Sequence, residues 1–209
     1  MVNVANIITV SRVVLALLTL ALLPMAGNPS AANTAGFSSE NILWTAFGLT
    51  VLVIWADGLD GFFARKLNQC TKFGAILDIA GDRCVEMAYW IVFCALGWVP
   101  LFVPLLYLVR GTFVDAMRSH ASEQGLTAFG AKTMMQSPLG KFLVASNFSR
   151  FTYAVVKALA FCLVIAAHTA ALDKTALPTV ALYLVYFSCF FCVARGLPVL
   201  IEGQSLFKV

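Results

Sequence analysis

"DGLDGFFARKLNQCTKFGAILDIAGDR", residues 57–83, holds four of the chain's ten acidic residues, Asp57, Asp60, Asp78 and Asp82, between flanks apolar enough to lie in lipid. A carboxylate inside a bilayer is costly and clusters there only around partners or a function. Reading this stretch as the ends of two helices joined by a short polar loop fixes how the rest of the chain must be arranged.

The surroundings agree with a membrane setting. Of 209 residues, 61% are hydrophobic and 11% charged, and the mean hydropathy is +0.89. A water-soluble domain of this size could not bury that much apolar surface. Runs of the roughly 20 residues needed to cross a bilayer fall at Ile7–Leu23, Ile42–Ala64, Phe73–Leu96, Val99–Met117, Leu143–Ala167 and Leu177–Pro198. The expected fold is therefore an all-α integral membrane protein of six transmembrane helices forming a single domain over residues 1–209. Lys and Arg are retained on the cytoplasmic side. Arg65, Lys66 and Lys72 follow the second run, Arg118, Lys132 and Lys141 the fourth, and Lys208 the sixth, whereas the alternate loops are nearly free of positive charge. Both termini should thus be cytoplasmic. The net charge of +4 suits anionic headgroups and phosphates, and no basic stripe for nucleic acid is present.

Residues 1–11 hold no Lys or Arg ahead of the first apolar run, and Arg12 lies inside it, which favours a retained helix over a cleaved signal peptide. Cys70, Cys84, Cys94, Cys162, Cys189 and Cys192 lie mostly within apolar runs and read as buried, reduced thiols; Cys189 and Cys192 have no second pair or histidine nearby. The polar stretch 119–141 is punctuated by Gly125, Gly130, Pro138 and Gly140, and a short interfacial helix is expected over Val114–Gln124.

Counted from Lys66 and Lys72 at 1.5 Å per residue, Asp60 and Asp78 lie about 9 Å along their helices, and Asp57 and Asp82 about 14 Å. At 100° per residue, Asp57, Asp60, Gly61 and Ala64 share an arc of roughly 100°, and Gly74, Asp78 and Asp82 one of about 80°. Two helices therefore bring paired carboxylates to matching depths, beside small residues that leave room for a ligand. Arg65 and Arg83 cannot balance four acids, so a metal site is favoured over an ion-pair cluster. Oxygen ligands without His or Cys select a hard ion, Mg²⁺, Mn²⁺ or Ca²⁺, and the carboxylates could serve two of them. Such ions beside Arg65 suit a diphosphate, with one carboxylate left as base for an incoming hydroxyl.

The pattern DxxDGxxARx8Gx3Dx3D, met by Asp57, Asp60, Gly61, Ala64, Arg65, Gly74, Asp78 and Asp82, resembles the signature of the CDP-alcohol phosphatidyltransferases. "NIITVSR", with Asn6, Thr9 and Arg12, is similar to that family's NxxTxxR segment. The resemblance implies a homodimeric six-helix enzyme that moves a phosphatidyl group from CDP-diacylglycerol to an alcohol and releases CMP, using Mg²⁺ or Mn²⁺ as a pair of ions. It implies Asp57, Asp60, Asp78 and Asp82 at the metals, Asp82 as general base, and Asn6, Thr9, Asp57, Gly61, Ala64, Arg65 and Gly74 around the CDP donor.

For the acceptor, Arg110, Arg118, Lys141 and Arg150 lie near the cytoplasmic ends of the later runs and are expected to form an anion pocket; Arg195 is read as a snorkelling or positive-inside residue. "RGTFVDAMRSHASEQG" and "LGK" resemble the phosphatidylglycerophosphate synthase branch, which implies glycerol 3-phosphate as acceptor, while Gly111 and Ile79 depart from that branch. Transfer to inositol phosphate is the second reading. His120 and His168 read as surface histidines. Glu86 could join the acidic stripe or pair with a neighbouring helix, and Lys157 could snorkel, pair with Glu86 or mark a polar cavity. A small cation-coupled transporter is the rival class; it would need polar residues on both sides of the midplane, but the acids crowd toward one end.

Overall fold

The computed structural model describes residues 4–27, 38–66, 71–126 and 133–204; the side chains of residues 5, 59–66 and 72 fall outside that description. Six long helices are described: α1 (Val4–Ala26), α2 (Ser39–Lys66), α3 (Lys72–Ala95), α4 (Phe102–Glu123), α5 (Asn147–Ala166) and α6 (Leu177–Gly203). A single turn, Pro138–Gly140, and a π-helical segment, Lys141–Ala145, lead into α5.

Helix ends follow local chemistry. Thr71 caps α3, its side chain accepting from the Gly74 amide. The same helix stops at Gly97, whose φ of +75° a side chain would resist; the Trp98 amide then donates to the Phe93 carbonyl and that of Gly97 to Cys94, a Schellman ending. Gly125, at φ +76°, closes α4 in the same way, with bonds from Leu126 to Ala121 and from Gly125 to Ser122. The separate interfacial helix expected over Val114–Gln124 is not found. Nothing between Thr112 and Gln124 breaks a helix, so α4 runs straight through to Glu123.

Four helical stretches, Asn6–Ala26, Ser39–Gly58, Asn147–Ala166 and Leu177–Gly203, are long and apolar enough to cross a membrane. Both α3 and α4 are as long, but Asp78, Asp82, Arg83 and Glu86 dilute one and Arg110, Asp115 and Arg118 the other.

The chain forms two compact units. One comprises Met1–Pro100 with Phe161–Ala181, the other Leu101–Ala160 with Leu182–Val209. In the first unit α1 packs along α2 and α3. The α1–α3 contact runs over two glycines: a Cβ on Gly74 would lie 2.8 Å from Asn6 Oδ1, and one on Gly81 would lie 3.2 Å from Thr9 Cγ2 and 3.3 Å from Val13 Cγ2. Its aromatic core places Phe161 4.6 Å from Tyr89 and 4.8 Å from Trp90, centroid to centroid, and the Tyr89 hydroxyl donates to Thr50 Oγ1 at 2.9 Å. At another edge, Glu40 accepts from Trp44 Nε1 and from the Ala170 amide.

The second unit has its own core of Val114, Ala121, Met134, Met135, Val144 and Val199. Tyr107 and Ser188 share a 2.5 Å hydrogen bond. Helix α6 lies against α4 through Gly196 and Gly203, whose added Cβ atoms would meet Arg110 Cγ at 2.9 Å and Met117 Sδ at 3.3 Å. Among the described cysteines all five are unbridged; Cys189 and Cys192 are buried as expected, whereas Cys84 is exposed on α3.

Candidate active site

Helices α2 and α3 deliver Asp57, Asp78 and Asp82 to one place. One oxygen of each lies within 4.8 Å of the others. Oxygens sharing one hard cation at about 2.1–2.5 Å are separated by up to roughly 4–5 Å, so this all-oxygen trio fits a divalent ion. Asp60, Gly61, Ala64 and Arg65 lie on α2, and their side-chain surroundings are outside the described residues. From α1, Asn6 reaches Gly74 and Thr9 reaches Gly81, so α1 supplies polar groups along the same face of α3.

Arg12, given no place beside the acids by the sequence alone, lies among them. Its side chain is 3% exposed, yet it is ion-paired with Asp57, lies 2.7 Å from Asp82 and 3.7 Å from Asp78. The three carboxylates are each about half exposed. A buried cation thus backs an open acidic cluster. In formal charge, three carboxylates against one guanidinium leave a net −2, which one divalent ion would balance. "NIITVSR" already contained Arg12, but its insertion depends on Gly81 letting α1 approach; a Cβ there would sit 3.6 Å from Arg12 Nη2.

Arg83, considered above as a counter-charge for the acids, donates to Glu86 at 2.7 Å on its own helix. This also places Glu86, which is buried. Lys157 Nζ lies 4.8 Å from the Tyr153 ring centroid, a cation–π contact. His120 sits near Glu123 and Gln124, and exposed His168 stacks on Trp98 at 4.1 Å.

In the second unit, Arg110 and Arg150 lie close enough to Arg195 for their charges to act on it. Arg110 is buried, and its Nε has no hydrogen-bond partner among the described residues. Lys141 opens the π-helical segment, and Arg118 lies two turns beyond Arg110 on α4. Reading Arg195 as a snorkelling residue is corrected by the structure: it is 4% exposed. It donates to Leu143 O at 2.8 Å, Ser149 Oγ at 2.6 Å and Val144 O at 3.3 Å. Backbone carbonyls released where the π turn meets Ser146 need donors, and Arg195 supplies them.

The family model described as CDP-alcohol phosphatidyltransferase matches residues 2–194. A CDP-diacylglycerol–inositol 3-phosphatidyltransferase of Schizosaccharomyces pombe is 51% identical over 39 residues, covering 19% of this chain and 16% of that protein. A CDP-diacylglycerol–glycerol-3-phosphate 3-phosphatidyltransferase of Pseudomonas fluorescens is 33% identical over 118 residues, covering 52% and 60%. One of the same description from Aquifex aeolicus is 37% identical over 81 residues, covering 39% and 37%. The chain therefore spans from about one-sixth to three-fifths of these relatives' lengths.

Proposed function

Because the chain belongs to the CDP-alcohol phosphatidyltransferase family, we propose that it transfers a phosphatidyl group from CDP-diacylglycerol to glycerol 3-phosphate and releases CMP. The observation that carries this reading is the convergence of Asp57, Asp78 and Asp82 from two helices on one small volume. Together with Asp60 they would hold Mg²⁺ or Mn²⁺, two ions in the full site. Such ions, when bound, draw charge from a diphosphate and ease departure of its nucleotide half.

The chain's own residues then do the rest. Asn6, Thr9, Gly61, Ala64, Arg65 and Gly74 flank the donor. Asp82 accepts the proton from the acceptor hydroxyl as its oxygen bonds to the phosphorus of the phosphatidyl group, and the bond to the CMP oxygen breaks. Arg110, Arg118, Lys141 and Arg150 take the acceptor's phosphate. The relatives described as acting on glycerol 3-phosphate support that acceptor over inositol phosphate. The 209 residues work as one membrane domain of six spans with both termini and the site at the cytoplasmic face, in keeping with the charge placement, and as a homodimer, the assembly the resemblance implies.

The test is purified protein with CDP-diacylglycerol and Mg²⁺ or Mn²⁺, offered glycerol 3-phosphate, inositol phosphate, inositol, phosphatidylglycerol, serine or choline. CMP release that depends on glycerol 3-phosphate is expected; a preference for serine or choline would remove the anion pocket. Asp82→Asn should lose turnover but keep CDP-diacylglycerol binding, and full activity in that variant would exclude Asp82 as base.

A further inference from the structure

The last helix is where the sequence offers the fewest functional marks, yet the second unit is organised around it. Residues seven apart on a helix are displaced by only about 20°, so Arg195 and Glu202 share one stripe of α6, and Gly196 and Gly203 the adjacent one. The glycine stripe receives Arg110 and Met117 of α4, themselves seven apart. The polar stripe holds the segment before α5 at both ends. Arg195 binds its exit, at Leu143, Val144 and Ser149. Glu202 binds its entry: its carboxylate accepts from the Gln136 amide at 2.5 Å, the Ser137 amide at 3.2 Å and Ser137 Oγ at 2.5 Å.

Ser137 in turn accepts from the Gly140 amide at 2.9 Å, capping the turn that leads into Lys141. Gly140 has no room for a side chain, because its Cβ would run into Glu202 Oε1 and lie 2.9 Å from Ser137 Oγ. The glycine of "LGK" is thus needed for the carboxylate to reach the turn. The charge of Lys141 also acts on Glu202.

We infer that Glu202 is a positioning residue for the acceptor site: by clamping the Gln136–Gly140 turn, it fixes where Lys141 presents its ammonium to the acceptor's phosphate. This deepens the reading above and rests on Lys141 being a phosphate ligand. Two effects of Glu202 oppose each other. As a nearby negative charge it weakens anion binding, and as a clamp it organises the ligand. Three hydrogen bonds to an ionised acceptor outweigh one screened charge contact at a carboxylate that is partly open to water.

The experiment measures steady-state kinetics of the full-length enzyme in detergent–lipid micelles with glycerol 3-phosphate and CDP-diacylglycerol varied in turn. Glu202→Ala should raise the KM for glycerol 3-phosphate about tenfold, the size expected for losing a charge-assisted clamp. The KM for CDP-diacylglycerol should stay within about twofold. Glu202→Gln keeps an acceptor for the two amides and should recover most of the loss. Gly140→Ala, which displaces the carboxylate while leaving it charged, should reproduce the Ala phenotype. Hydrogen exchange at the Gln136 and Ser137 amides should speed up in Glu202→Ala. An unchanged or lowered acceptor KM in Glu202→Ala, or Glu202→Gln no better than Ala, overturns the inference. Lys141→Gln separates the two levels: if it raises the acceptor KM while Glu202→Ala does not, the clamp is wrong. If Lys141→Gln leaves the acceptor KM unchanged, the phosphate-ligand reading fails and the clamp's functional role with it.

Discussion

Replacing Arg195 by Ala should destabilise the protein by about 3 kcal/mol, and the structure sets that figure. Two of its hydrogen bonds are short, 2.8 Å to Leu143 O and 2.6 Å to Ser149 Oγ, while the third, 3.3 Å to Val144 O, is long and counts for little. Each short bond from a charged donor contributes about 1.5–3 kcal/mol. The guanidinium also lies over Tyr153, 5.4 Å from the ring centroid, adding about 0.5–1 kcal/mol. Against this, truncation relieves repulsion from Arg110 and Arg150, which selects the low end of the sum. For a chain of this length about 3 kcal/mol corresponds to a fall in Tm of roughly 6–12 °C, readable by thermal unfolding in detergent micelles. Arg195→Lys is the sharper probe. It keeps the charge and its repulsion but loses the planar fork that reaches several acceptors at once, so it should lose at least half as much. A Lys variant melting within about 1 °C of wild type would show that the charge alone matters and refute the reasoning.

Arg12→Gln removes the buried cation behind the acids, changing the formal local charge from −2 to −3. With the carboxylates half open to water, Mn²⁺ binding followed by electron paramagnetic resonance should tighten about fivefold, roughly 1 kcal/mol; weaker binding would mean that Arg12 arranges the carboxylates more than it opposes the ion. At the α1–α3 seam, Gly81→Ala needs a shift of only a few tenths of an ångström against Thr9 and Val13 and should lower stability by about 1–2 kcal/mol. Gly81→Leu cannot be accommodated and should lower Tm far more, and near-equal melting of the two variants would contradict the close approach described.

What could be read from the sequence was what is local. Asp78 and Asp82 lie about one helical turn apart, so their shared face follows from the period alone, and Asp57 of the preceding helix meets them as that reading expects. The place of Arg12 could not be read this way. Its pairing spans 45–70 residues and depends on glycines of another helix. Arg195 misled for a different reason: a lone Arg near a helix end has the same sequence context whether it reaches for headgroups or for buried carbonyls. Only the π turn at Lys141–Ala145, which no composition marks, creates the acceptors that decide between them. Glu202 was overlooked because its partners are mostly backbone amides, and amides carry no sequence signature. Gly125 did mark a helix end correctly, but the interfacial helix placed before it was an unnecessary break in a helix that simply continues.

The guanidinium of Arg12 is sealed from solvent while the oxygens it pairs with remain half open, and this gives the acidic cluster a front and a back. Among the described residues a fixed positive charge and α1 occupy the rear, so a cation would approach from the front. A ligand larger than an ion would meet the cluster from that same open side.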